Sequence, residues 1–151
     1  MGNPSRPIQR EAVARLRGDA PLATLLGSPT NPPGAIFDNG GAATNSPYPL
    51  IIVWPILSES GTALSMGTDA VDVYVQISVW TQSGGVDAGF DEAEQIAARI
   101  YGLFQPPADP LDLSGYGFTN FFLLFQNQIP GEQDDGQTQK IDMRFKLMNV
   151  G

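Results

Sequence analysis

Glu132, Asp134 and Asp135, in the stretch GEQDDGQ, are a tight group of oxygen ligands that could bind a cation. A hard cation such as calcium takes oxygen donors of this kind, but these lack the alternating ligand rhythm of a calcium loop. They read instead as the solvated tip of a hairpin. Two carboxylates could also run a glycoside hydrolysis, yet the acids fall in turns, at helix starts and at outer strand positions, which gives no buried pair. With 0 cysteines and 0 histidines, thiolate chemistry, disulfides and a Ser-His-Asp triad are excluded, and the usual neutral-pH base is missing. No Gly-x-x-x-x-Gly-Lys-Ser/Thr loop and no Gly-x-Ser-x-Gly elbow occurs. GGVDAG and GYGFTN lack the strand–helix context of a dinucleotide fingerprint and read as turns. Trp54 and Trp80 could stack a planar ligand, but core or interface service is the commoner use of such rings. The expectation is a protein that is not an enzyme, with no cofactor and no metal.

Charge points the same way. Eight Lys and Arg stand against 16 Asp and Glu, a net charge of -8. Such a surface repels nucleic acid phosphates and anionic membranes, although it lets DNA slide past. No run is apolar enough to span a bilayer or to act as a signal core, and MGNPSR has Arg6 where a myristoylation site needs Ser or Thr. The chain is expected to be made and kept in a cytoplasm, without a membrane partner.

What would position these residues is one domain, 1–151, with a helical N-terminus over 1–27 and a sheet plus one long helix over 36–151. Ser5 can cap a first helix with Pro7 in its opening turn, and Ile8, Ala12, Val13 and Leu16 form its apolar face. Gly18 stops it. Asp19 can cap a second helix with Pro21 early and Leu22, Leu25 and Leu26 inward. Arg6, Arg10, Arg15 and Arg17 carry half of all positive charge; they form either a solvated face or a surface for an acidic partner. AIFD is a short strand, NGGAATNSPYP a loop, and LIIVWPI a strand buried on both faces, with Pro55 at an edge or at its end. LSESGTALSMGTDA reads as an extended hairpin or arm. Asp87 or Asp91 caps the clearest helix, which turns Phe90, Ala93, Ala97, Ile100 and Phe104 inward and ends at QPP. FTNFFLLFQNQI places Phe122 on one face and Phe121 on the other, PGEQDDGQ is a hairpin loop, and TQKIDMRFKLMNV alternates with Lys140, Asp142, Arg144 and Lys146 outward. The layout is α+β: an antiparallel sheet with helices packed on one face.

The strand VDVYVQISVWTQSGG poses a problem for a lone subunit. Val71, Val73, Val75, Ile77 and Val79 make a core face, while Asp72, Tyr74, Gln76, Ser78 and Trp80 make neither a wet surface nor a core. One helical layer covers one side of a sheet, so Tyr74, Trp80, Phe121 and Phe122 are left as candidate subunit contacts, aromatic groups interspersed with polar ones. The outer face is expected to pack on another copy of the chain.

Taken in order, these segments resemble the tail completion, or tail terminator, family of long-tailed bacteriophages and related prophage particles. The likeness is carried by REAVARLRGDAPLATLLG leading to AIFD, by PYPLIIVWPI, by VDVYVQISVWTQSGG ending at DEAEQIAARIYGLF, and by DDGQTQKIDMRFKL. The loop DNGGAATNSPYP and the segment LSESGTALSMGT depart from it. The resemblance implies a ring-forming subunit, commonly a hexamer. The ring sits on the last ring of the tail tube, stops its growth and offers a joining surface to the head–tail connector, with DNA passing through an acidic lumen without specific binding. It places the protein at the head-proximal end of the virion tail, assembled in the host cytoplasm. Candidate tube or connector contacts are Asn39, Thr44, Asn45, Glu59, Leu64, Met66, Glu132, Asp134 and Asp135. The alternatives are another neck or tail tube component and, from a different class, a small-ligand-binding domain or carboxylate-dependent enzyme.

Overall fold

A computed structural model describes residues 5–26, 36–38, 49–56, 74–82, 88–106, 108–117, 121–132 and 138–149. Helix α1 spans Ser5–Arg17 and α2 spans Ala20–Leu25. Strand β1, Ile36–Phe37, and strand β2, Leu50–Ile56, precede β3, Tyr74–Gln82. Helix α3 covers Ala88–Phe104, and a single 3-10 turn at Ser114–Tyr116 leads into β4, Phe121–Glu132, and β5, Thr138–Asn149.

The strands form one sheet in the order β1-β2-β3-β5-β4. The sheet is mixed, which corrects the antiparallel expectation: β1 runs parallel to β2, pairing Ile36 with Ile51 and Phe37 with Ile52. A parallel neighbour needs a crossover of about a dozen residues, and twelve residues separate Phe37 from Leu50 in the sequence. The remaining pairs are antiparallel. Pro55 lies beyond the two rungs that β1 occupies on β2, the edge-like position that a missing N–H tolerates.

Register places the core. Ile51 and Val53 of β2 sit opposite Val79 and Ile77 of β3, which sit opposite Ile141 and Met143 of β5. All are buried, with Leu123 and Phe145 on the same side. Helix α3 covers this face with Ala93, Ile96, Ala97, Ile100 and Phe104, and α1 adds Ile8, Ala12, Val13 and Leu16. Helix α2 contributes Leu22 and Leu26. Phe104 and Phe145 meet edge to face at 5.7 Å, and Phe125 stacks on Phe145 in the same way. The helical face of the first helix and the alternation in the third and fifth strands are thus as the sequence suggests.

Two polar devices fix the first helix on the sheet. Gln9 is buried on the apolar face of α1, and its Nε2 donates to the carbonyls of Asp38 and Val53 at 2.7 and 2.8 Å. A helix side chain thereby serves a β2 carbonyl beyond the reach of β1's two rungs. Gln9→Leu keeps the volume but leaves both carbonyls unserved. We expect a loss of about 2 kcal/mol, since each buried unsatisfied group costs roughly 1–3 kcal/mol, measured as a lower urea midpoint with an unchanged slope. The second device is arginine. Arg15 donates to the carbonyls of Leu103, Asp109 and Pro110, and Arg17 to that of Ile36. Arg6 donates to Gln9 and lies 3.4 Å from Asp38. Three of the four arginines therefore bind this chain's own backbone or side chains.

Asp19 caps α2 as its position suggests, accepting from the Leu22 N–H at 2.9 Å. It also takes Nε and Nη2 of Arg99 at 2.8 and 2.7 Å, a two-pronged pair that ties α2 to α3. The Arg99 hydrogen bonds hold the Asp19 carboxyl below its ordinary value against the opposing effect of burial, and the Leu22 N–H adds to the lowering.

A candidate assembly surface

The side of the sheet away from the helices is built in rows. Cross-strand pairing aligns Leu50, Trp80, Lys140 and Gly131; then Phe37, Ile52, Ser78, Asp142 and Ile129; then Trp54, Gln76, Arg144 and Asn127. The last row holds Ile56, Tyr74 and Lys146. Tyr74 and Trp80, the two aromatic groups expected here, are both on this face and both partly exposed.

Their neighbours explain why they can sit on an outer face. Lys140 Nζ lies 5.3 Å from the centroid of the Trp80 ring, and the Arg144 guanidinium 5.7 Å from that of Tyr74. A cation over a ring face gains about 0.5–1 kcal/mol at such sites. Ser78 is buried and its Oγ donates to Asp142 Oδ1 at 2.7 Å, while Gln76 Nε2 donates to the Ser78 hydroxyl at 3.3 Å. Asp142 Oδ2 pairs with Lys140 at 3.1 Å. The centre of the face is a polar lattice framed by two ring–cation pairs. The indole Nε1 of Trp80 is buried and has no acceptor among the described residues.

Strand β4 forms the sheet edge. A register shift between Phe125 and Asn127 leaves Gln126 as a bulge, so the unbroken alternation read from FTNFFLLFQNQI changes phase there. The hairpin connection is also shorter than expected, because Pro130, Gly131 and Glu132 belong to β4. Proline is tolerated on an edge strand, where its missing N–H breaks no ladder. The bulge brings Ile129 opposite Asp142 on the outer face, where it is 59% exposed. Phe125 donates its backbone N–H to Gln105 Oε1 at 2.7 Å, so a residue just past α3 occupies a main-chain donor of the edge. Tyr101 packs edge to face on Phe125 and is itself exposed.

Phe121 and Phe122 lie in β4 opposite Asn149 and Met148. Glu132 closes the strand opposite Gln139. Asn39, Thr44, Asn45, Glu59, Leu64, Met66, Asp134 and Asp135 lie outside the described residues, as does LSESGTALSMGTDA. Sequence reasoning missed Gln9 and Gln105. Gln9 carried a signal: it stands four residues before Val13 on the apolar face, where a polar side chain needs a buried partner. Among the described residues no group of three or more Asp and Glu could hold a metal ion, and no helix is long and apolar enough to cross a membrane.

Residues 11–148 match the family described as "Tail completion protein gp17". A chain of the virion of a native gene transfer agent particle superposes with a TM-score of 0.63 at 18% identity, covering 95% of each chain. The gp17 protein of bacteriophage SPP1 superposes with a TM-score of 0.53 at 21% identity, covering 97% of this chain and 94% of that one. No curated protein matches by sequence.

Proposed function

This chain belongs to the tail completion protein gp17 family, and on that footing we propose that it closes as a homo-oligomeric ring, commonly a hexamer, over the head-proximal end of a tail tube. Proteins of this family are structural and not enzymatic, and the chain is a phage-type virion tail component that assembles with other tail proteins. The ring stops tube growth and offers its free side to the head–tail connector. Tube subunits stack through a heterologous interface that extends until something caps it. A terminator reproduces one half of that interface and omits the other, so it needs no bond chemistry. DNA crosses the ring, and a chain of net charge -8 keeps its phosphates from adhering to the lumen. Tyr74, Trp80, Phe121 and Phe122 serve as subunit contacts. The segments that carry Asn39, Thr44, Asn45, Glu59, Leu64, Met66, Glu132, Asp134 and Asp135 meet the tube or connector, and assembly takes place in the host cytoplasm.

The observation that carries this reading is the family match over residues 11–148, nearly the whole chain. Deleting the coding sequence from its particle tests it. We expect tails of abnormal length, or tails detached from heads, and restoration on complementation. Normal, attached tails would overturn the capping role. Open-ended polymerisation of the purified chain into tubes would make it a tube subunit instead.

A further inference from the structure

The outward face of β5 and the first half of α3, on opposite layers of the subunit, carry opposite charge. On the sheet side, β5 presents Lys140, Arg144 and Lys146, three of the chain's eight cations, around the single carboxylate Asp142. Arg144 makes no ion pair among the described residues; its contact is the Tyr74 ring. On the helical side, Asp91 and Glu94 of α3 are exposed. Glu92 is partly buried without a hydrogen-bond or ion-pair partner among the described residues, and burial pushes its carboxyl above the ordinary value. Helix-dipole stabilisation falls off within the first turn. It accounts for Asp91 but not for Glu92 and Glu94, which lie further in. The one cation of α3, Arg99, is already taken by Asp19.

We infer that the outward sheet face of one subunit docks on the acidic first half of α3 in a second copy of this chain, with Arg144 and Lys140 facing Asp91 and Glu94. The inference rests on the reading that copies of the chain form a ring. Because the two surfaces are on opposite layers of the same subunit, their pairing is heterologous, a contact whose repetition closes a ring when the rotation between neighbours divides a full turn. The ring–cation pairs hold both cations before docking, which lowers the ordering cost of the contact. Complementary charge also steers the approach and rejects the wrong face, because sheet against sheet would set like charges together.

Charge inversion on the full-length chain, read by native mass spectrometry and sedimentation, tests this. Arg144→Glu alone and Glu94→Lys alone each weaken association by about tenfold or more, as expected for loss of a facing charge pair. An equal mixture of the two restores assembly, because each altered surface then meets an oppositely charged one, and the rings alternate in composition. Rescue also shows that both variants are folded. If Arg144→Glu lowers the melting temperature, Arg144→Gln removes the charge without inverting it and must still weaken association. Variants that assemble like the wild type, or folded variants that fail to rescue one another, overturn the docking mode and leave the ring reading intact. A wild-type chain that stays monomeric removes the ring reading and this inference with it.

Discussion

Phe145→Ala costs the fold about 3–5 kcal/mol, the usual penalty for removing a fully buried phenylalanine. Phe145 is wholly buried at the middle of β5 and touches the rings of both Phe104, at the end of α3, and Phe125, on the edge strand. Removing it opens a cavity between the two layers and strips two edge-to-face contacts at once. Domains have a total stability of about 5–15 kcal/mol, so about a fifth or more of the margin is lost. Urea unfolding of the purified chain measures it, and a loss below about 1 kcal/mol would mean that the layers can close over the gap. Phe104→Leu, which trims the helix side of the same contact but keeps a branched apolar side chain there, is expected to cost less.

Tyr74→Asp, in contrast, leaves the subunit folded and cuts self-association by about tenfold or more, the size expected for an aromatic contact at the centre of an interface. Tyr74 is the first residue of β3 and is half-exposed, directly opposite Lys146 and beneath Arg144. A carboxylate there meets two cations, so the sheet accommodates it. The same carboxylate neutralises the cationic face and removes the ring. The far-ultraviolet circular dichroism spectrum should overlay that of the wild type while the sedimentation profile shifts to monomer. Unchanged assembly would show that the outer face is not where subunits meet. Trp80 is a poorer probe, since its ring also packs against the core.

Much of the fold is legible in the sequence wherever a strong period meets a plain cap. The alternation through Val75, Ile77 and Val79, the helical face ending at Phe104, and Asp19 before Pro21 each admit one physical reading. The unread parts depend on events that leave no period. The bulge at Gln126 is a choice between registers settled by β5, and a run of apolar residues on both faces hides it. The parallel pairing of β1 follows from where the chain returns, which a loop's composition does not encode. The aromatic outer positions of β3 were visible as an anomaly, but their answer was divided between strands. The cations that cover Trp80 and Tyr74 come from β5, 60 and 70 residues along the chain, and only register joins them. Family likeness supplied what no periodicity could, a place among the structural proteins of a virion tail.

The exposed margin of β4 has three interruptions: the kink at Gln126, the imino nitrogen of Pro130, and the Phe125 amide held by Gln105. An unbroken margin would be a template on which further chains could line up. On the proposed capping role, a subunit held in stock until tubes reach full length would gain from a border that does not template its own aggregation, and the Gln105 contact would serve that storage as well as the fold.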